Sequence, residues 1–238
     1  MRLVDVPSAD GAQWIRRAWA LYRRAPLQWT LVMLVWLAIS LAVPLLLPIV
    51  AAAAILLEPG LFAGLMIACR IAEEGGTPSP RHIFAAFRVN ARALVTAGFV
   101  MAVGYMLIVL LVNALGLPRL TLTADGQSID FETFALALDA KLWVASLGLA
   151  LVALWKGALW FVAPLLAFHR MSAGHAIRWS IYAFLSNFGA MACYAALITA
   201  IYFAALLPYG AGLLIALPVM TLSNYAAYKA VFSDDAEA

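Results

Sequence analysis

Charge is what this chain of 238 residues has least of: Asp, Glu, Lys and Arg make up only 11%, against 66% hydrophobic residues. A water-soluble domain carries about 25% charged residues, because its surface is made largely from them. So little polar material cannot cover a globule of this size, which excludes a cytosolic enzyme and a disordered tail. Cysteine is almost as scarce. Cys69 and Cys193 lie in apolar runs without Cys-x-x-Cys or Cys/His spacing, so they read as buried free thiols and exclude a disulfide-stapled secreted domain. The three histidines, His82, His169 and His175, fall in no His-Glu-x-x-His motif. His169 and His175 are six apart, the wrong spacing for two ligands on one helical face. Paired carboxylates and phosphate-cradling glycine loops are missing as well. The expectation is a non-enzyme with no metal and no cofactor. A formal charge of +3 and a pI near 9.0 do not point to nucleic acid, since no basic patch interleaves with aromatics on a polar fold.

What the chain has is long apolar runs, and a mean hydropathy of +0.97. A bilayer span needs about 20 predominantly apolar residues. Six stretches qualify, at Leu27–Leu47, Ile49–Cys69, Ala93–Leu115, Leu142–Phe168, Asn187–Leu207 and Ala211–Val231. Pro44 to Pro48 and Pro208-Tyr209-Gly210 make short turns between the first and last pairs, and a polar loop, 118–141, joins the middle pair. Short turns give antiparallel neighbours. The expected fold is therefore all-α and polytopic, with six transmembrane helices arranged as three hairpins. The segment from Met1 to Arg24 holds five arginines and no apolar core of a signal peptide, so the first run reads as an uncleaved span.

The scarce charges orient the chain. Arg2, Arg16, Arg17, Arg23, Arg24, Arg70, Arg81, Arg88, Arg92, Arg170, Arg178 and Lys229 fall on one side, 12 of the 15 basic residues. Opposite them are Arg119 and Lys141, in a loop that also carries Asp125, Asp130, Glu132 and Asp139. Both termini are accordingly expected in the cytoplasm, and the protein in a bacterial inner membrane. Asp130 to Leu138 has the pattern of a short amphipathic periplasmic helix.

Each hairpin follows an amphipathic segment on the basic side. On a helical wheel Trp14, Ile15, Ala18, Trp19, Leu21 and Tyr22 share one face, and Arg16, Arg17, Arg23 and Arg24 the other. Such a helix suits the lipid interface, with its rings among acyl chains and its guanidinium groups at headgroups. A second segment opens on Ser79-Pro80 and groups Arg81, Arg88 and Arg92. A third opens near Ser172, with Ile177, Ile181, Phe184 and Leu185 and the single fixed charge Arg178. The last two share Phe-x-x-Asn, as Phe87/Asn90 and Phe184/Asn187, and each returning span has a proline: Pro59, Pro164 and Pro218. The chain divides on this reading into three helix-plus-hairpin modules, 9–78, 79–171 and 172–231, with a tail at 232–238. Chance similarity of basic flanks is the competing explanation.

Two ionisable residues enter the apolar runs, Glu58 before Pro59 and Lys156 after Trp155. A charge near the bilayer centre costs about 2.5–3.5 kcal/mol or more, so each should face protein or water. Glu58 lies 12 residues before Arg70 and Lys156 lies 14 before Arg170, which places both roughly 18–21 Å deep. Three readings stay open: a proton or cation site beside a helix that Pro59 breaks, a structural ion pair, or Glu58 at the mouth of a helix starting at Pro59. Gly60, Gly64 and Ala68 form a small-residue stripe for close helix packing. Trp29 and Trp143 have the placement of interfacial anchors, whereas Trp36, Trp155 and Trp160 fall deeper. Asn113, Ser223 and Asn224 are expected to hydrogen-bond between helices.

The run Val6-Pro7-x-x-x-Gly11-x-x-Trp14-Ile15-x-x-x-Trp19-x-Leu21-Tyr22-Arg23-x-x-Pro26-Leu27-x-Trp29, with the span that contains Pro59, resembles the opening of a group of uncharacterised proteobacterial proteins described as hypothetical transmembrane proteins. The resemblance extends over most of the chain. It implies a six-span inner-membrane protein and assigns no activity or catalytic residue.

The function expected from these features is a scaffold, accessory subunit or assembly factor. Its partners would be the phospholipid bilayer, with anionic lipids at the arginines, and a further membrane protein. The alternative is a transporter or channel for a small solute or ion that uses Glu58 and Lys156. Glu58→Gln separates the two: loss of phenotype with assembly intact is expected for a transport site, and an unchanged phenotype and assembly for a structural residue.

Overall fold

The computed structural model describes residues 2–42, 48–118 and 138–233. The turn at Pro44 to Pro48 (all but its last residue), Arg119, the acids Asp125, Asp130 and Glu132 with the helix expected from Asp130, and the tail beyond 233 lie outside the described residues. The fold is all-α and polytopic. Its helices are α1 (Asp10–Tyr22), α2 (Pro26–Leu37), α3 (Pro48–Glu73), α4 (Phe87–Ala114), α5 (Leu142–Ala158), α6 (Val162–Phe168), α7 (Ala173–Ser186), α8 (Phe188–Leu206) and α9 (Leu213–Val231). One π-turn, Ala38–Ala42, extends α2, and a 3-10 helix, Pro80–Phe84, precedes α4. Among the described residues the only strands are two short ones, β1 (Arg2–Leu3) and β2 (Phe232–Ser233), paired antiparallel.

Among the described residues four helical stretches are long and apolar enough to cross a membrane: Ala54–Glu73, Phe87–Ala114, Leu142–Phe168 and Phe188–Leu206. A fifth is possible by composition if α1 and α2, which meet at 106°, count together. Helix α9 has the length, 19 residues, but Thr221, Ser223, Asn224, Tyr225, Tyr228 and Lys229 keep it out of that set. Those side chains are mostly buried, so α9 is a core helix of the protein.

The residues separate into two compact units, Met1–Phe99 with Ala158–Ala238, and Val100–Gly157. In the second, Trp155 donates its indole N–H to the carbonyl of Met101 (3.3 Å), and its ring lies where a side chain on Gly104 would stand.

The first unit holds the three amphipathic segments, each laid on a different helix. Segment α1 packs on α9 and α8, the 3-10 helix on α3 and α2, and α7 on α6. By chain order, the 3-10 helix and α7 each cover the helix just before them, α3 and α6, and α1 covers α9, the last. The joints between segment and span are breaks in the backbone. Ala25 (φ −150°, ψ 60°) precedes α2, Asn90 (φ −157°, ψ 56°) bends α4, and Asn187 (φ −109°, ψ 26°) separates α7 from α8. Proline at the first position of α2 fixes the restart there. The two asparagines bridge outward instead: Asn90 donates to the carbonyl of Met171 (2.8 Å), and Asn187 accepts from the N–H of Val6 (2.8 Å).

Several expectations are corrected. The second segment is no α-helix but a five-residue 3-10 helix, because Ser79-Pro80 starts a turn that the break at Asn90 soon follows. Pro59 does not break its helix; α3 runs on through it from Pro48 to Glu73, so Glu58 is not at a helix mouth. An interior proline removes one hydrogen bond, but burial of Pro59 and Gly60 against neighbours holds the helix together. Trp29 is fully buried and anchors nothing at an interface, whereas Trp143 is exposed. Ser223 and Asn224 bond between elements as expected, and one bond of Asn113 goes to the Val109 carbonyl within its own helix (2.7 Å).

The face of α3 that carries Gly64 touches the backbone of the 3-10 helix: a Cβ there would run into the Ile83 carbonyl. Gly64→Ala is therefore expected to lower stability by about 1–3 kcal/mol, read as a drop in thermal midpoint in detergent. Gly174→Ala, where a Cβ meets nothing within 4 Å, should hold or raise it.

Candidate functional site

The first two amphipathic segments, expected together on one basic side, hold their cations outward. Arg16, Arg17, Arg23 and Arg24 of α1 and its continuation are all exposed, as are Arg81, Arg88 and Arg92. Trp19 remains exposed and stacks on Tyr22 (5.5 Å between ring centroids). Trp14, expected among lipid chains, is instead 1% exposed: its ring meets Tyr194 of α8 at 5.8 Å. The reason lies three residues earlier. Gly11 has no side chain, so α1 sinks onto α8 until its backbone nears the Ala190 carbonyl, where a Cβ would stand 2.6 Å away. The apolar face of α1 is thus spent on protein, and only its arginine face and Trp19 are left outside.

Tyr194 centres an aromatic and polar core. Trp160 meets it edge-on at 5.7 Å, and its hydroxyl shares a 2.8 Å hydrogen bond with Ser223 of α9. Asn224 donates to the Trp160 carbonyl (3.4 Å). Close by, the break between α5 and α6 is closed by Ser180 of α7. Its hydroxyl accepts from the Phe161 N–H (3.0 Å) and donates to the Ala158 carbonyl (2.7 Å). Buried polar groups are expensive unless paired, and these bonds pair most of them, leaving the Trp160 indole N–H and the Asn224 Oδ1 without a partner.

A second cluster fastens the ends of α3, α6 and α9. Tyr225 donates to Glu73 (2.7 Å), and Lys229 reaches both carboxylate oxygens of Glu73 at 2.9 Å. Arg70 lies over the Phe168 ring (4.8 Å), which also meets Tyr228, and His169 hydrogen-bonds Tyr228 (2.8 Å). The charges of Lys229 and Glu73 are partly exposed, so the ion pair itself is worth at most about 1 kcal/mol. Sequence reading missed Glu73 and Tyr225. A signal existed: Arg70 and Lys229 each stand 11 residues after a span proline, Pro59 and Pro218, at matching helix ends.

Of the remaining expected residues, Gly60, Gly64 and Ala68 are buried on one face of α3, Gly60 against the Phe87 ring and Gly64 against Ile83. Packing within the chain accounts for that stripe. Glu58 is half-buried on α3 in the first unit; Lys156 is exposed on α5 in the second. Chemically, the basic side offers guanidinium groups able to hold phosphate or carboxylate oxygens, beside rings that suit a hydrocarbon boundary.

A curated protein of Burkholderia thailandensis, named a probable inner membrane protein, is 29% identical over 243 residues, covering 95% of this chain and 84% of its own length. No protein-family model and no solved structure matches the chain.

His82 gives this side a pH response. Its Nδ1 accepts from the Ser79 N–H (3.2 Å), and burial, then the neighbouring Arg81 charge, holds its pKa below the ordinary value. The unfolded chain takes up a proton near pH 6.5 while the folded chain does not. Stability present above about pH 6.5 is therefore lost as pH falls below it. Unfolding midpoints across pH 5 to 8 should show this slope in the wild type, and a shallower one in His82→Gln.

Proposed function

We propose that this protein is a non-catalytic component of a bacterial inner membrane, a scaffold, accessory subunit or assembly factor whose basic side rests on anionic lipid. On this reading α2 and the buried helix α9 cross the membrane along with the four apolar stretches, giving six spans in three hairpins with both termini in the cytoplasm. The observation that carries this reading is the division of polar groups. Inside the first unit Tyr194–Ser223, Ser180–Phe161 and Asn224–Trp160 pair with one another, and the buried groups without a partner among the described residues (the indole N–H of Trp14, Trp29, Trp36 and Trp160, the Ser40 hydroxyl and Oδ1 of Asn224) include no acid or base, whereas the arginines of the first two amphipathic segments all stand outside. A catalytic site needs a nucleophile or base aimed at open space, and a transport path needs polar groups aimed at a lumen. The name given to the Burkholderia relative supports the inner-membrane placement. The continuous helix at Pro59 removes the broken-helix geometry that favoured transport through Glu58.

Purification in a gentle detergent, with identification of bound lipids and proteins, tests the proposal. Expected are enrichment of anionic lipid and a membrane-protein partner at fixed ratio through size exclusion. Replacing Arg16, Arg17, Arg23 and Arg24 by Gln should cut the lipid enrichment, at about 1 kcal/mol for each well-placed arginine. A partner-free protein that moves a solute into vesicles, and stops doing so as Glu58→Gln, would overturn it.

A further inference from the structure

The third amphipathic segment carries a concavity. On α7, His175, Arg178, Trp179 and Tyr182 line a cleft of about 250 Å³. Their spacing of three, four and seven places them on one helical face. Ser172, at the helix start, fixes the edge of the cleft: its hydroxyl hydrogen-bonds His175 Nδ1 at 3.0 Å, which leaves Nε2 for a ligand. Arg178 is exposed and forms no ion pair among the described residues. Beyond Tyr182 the same stripe continues as Leu185 and then Phe188, the first residue of the spanning helix α8. Tyr182, Leu185 and Phe188 are 64%, 63% and 52% exposed.

Two chemistries therefore adjoin in a fixed order, a cation with an imidazole at one end and bare apolar surface leading to a span at the other. A soluble anion would use the first and have no use for the second. A lipid uses both: its phosphate meets Arg178 and His175, and its chains lie along Tyr182, Leu185 and Phe188. Helix α7 contains no Asp or Glu, so the ammonium of a zwitterionic headgroup finds no carboxylate there. We infer that the cleft of α7 is a headgroup site for an anionic phospholipid, held through its phosphate by Arg178 and His175. The inference rests on the reading that the amphipathic segments lie at the membrane surface, and it assigns one lipid to one place on it.

The test uses the full chain in nanodiscs of mixed phosphatidylcholine and phosphatidylglycerol, with native mass spectrometry counting the lipids that stay bound on release. Wild type should retain phosphatidylglycerol in preference to phosphatidylcholine. Arg178→Gln should lower that retention about fivefold, Arg178→Lys should restore part of it, and Lys141→Gln, outside the basic segments, should leave it unchanged. Tyr182→Ala should shorten the residence of the lipid without altering headgroup preference. Equal retention by Arg178→Gln overturns the site while leaving the anionic-lipid reading of the basic side intact. No headgroup preference in the wild type overturns both. Preferential phosphatidylcholine retention, through its quaternary ammonium on Trp179, overturns the headgroup assignment. Displacement by inorganic phosphate alone identifies a site for a free anion and overturns the lipid.

Discussion

The architecture depends on pairing backbone polar groups wherever a helix stops inside an apolar chain. In hydrocarbon no water takes up an exposed N–H or carbonyl, and each one left bare costs several kcal/mol. This chain interrupts its helices repeatedly, and small polar side chains from other elements meet the interruptions. Ser180 serves both sides of the break between α5 and α6. Asn90 and Asn187 sit at breaks themselves and reach to Met171 and Val6, the stretches that lead into the next segments. Each joint thereby secures a neighbour as well as itself, and the amphipathic segments take their positions from these ties.

With those positions set, burial and exposure divide cleanly. Gly11 brings α1 so near α8 that Trp14 is enclosed, and the glycine face of α3 does the same for the 3-10 helix. Where the ends of α3, α6 and α9 come together, Glu73, Tyr225 and Lys229 lock them with hydrogen bonds that matter more than the net charge of the pair. Arginines are then left as the outer coat of this side.

Much of the fold can be read from the residues, because apolar length and helix caps are local properties. The spans Leu142–Phe168 and Phe188–Leu206, the start at Ser79-Pro80 and the cap at Ser172 all follow from short stretches of sequence. Phe-x-x-Asn marked two joints correctly, although not what the asparagines hold. Burial of Trp14 and Trp29 was illegible for a physical reason: a lipid tail and a protein core are equally apolar, so hydropathy treats an indole in either alike. Pro59 misled because its effect depends on what surrounds it, and buried packing kept the helix whole. The Glu73–Lys229 contact joins residues 156 apart, which no local pattern encodes.

The short pairing of Arg2 with Ser233 and Leu3 with Phe232 has a consequence for biogenesis. Helix α1 is made early, yet its bed is α8 and α9, which begin 166 and 191 residues after α1 ends. Until they leave the ribosome, the amino-terminal helix has its amphipathic faces but no seat within the chain. Burial of Trp14 against Tyr194 is accordingly among the last contacts that the growing chain can make.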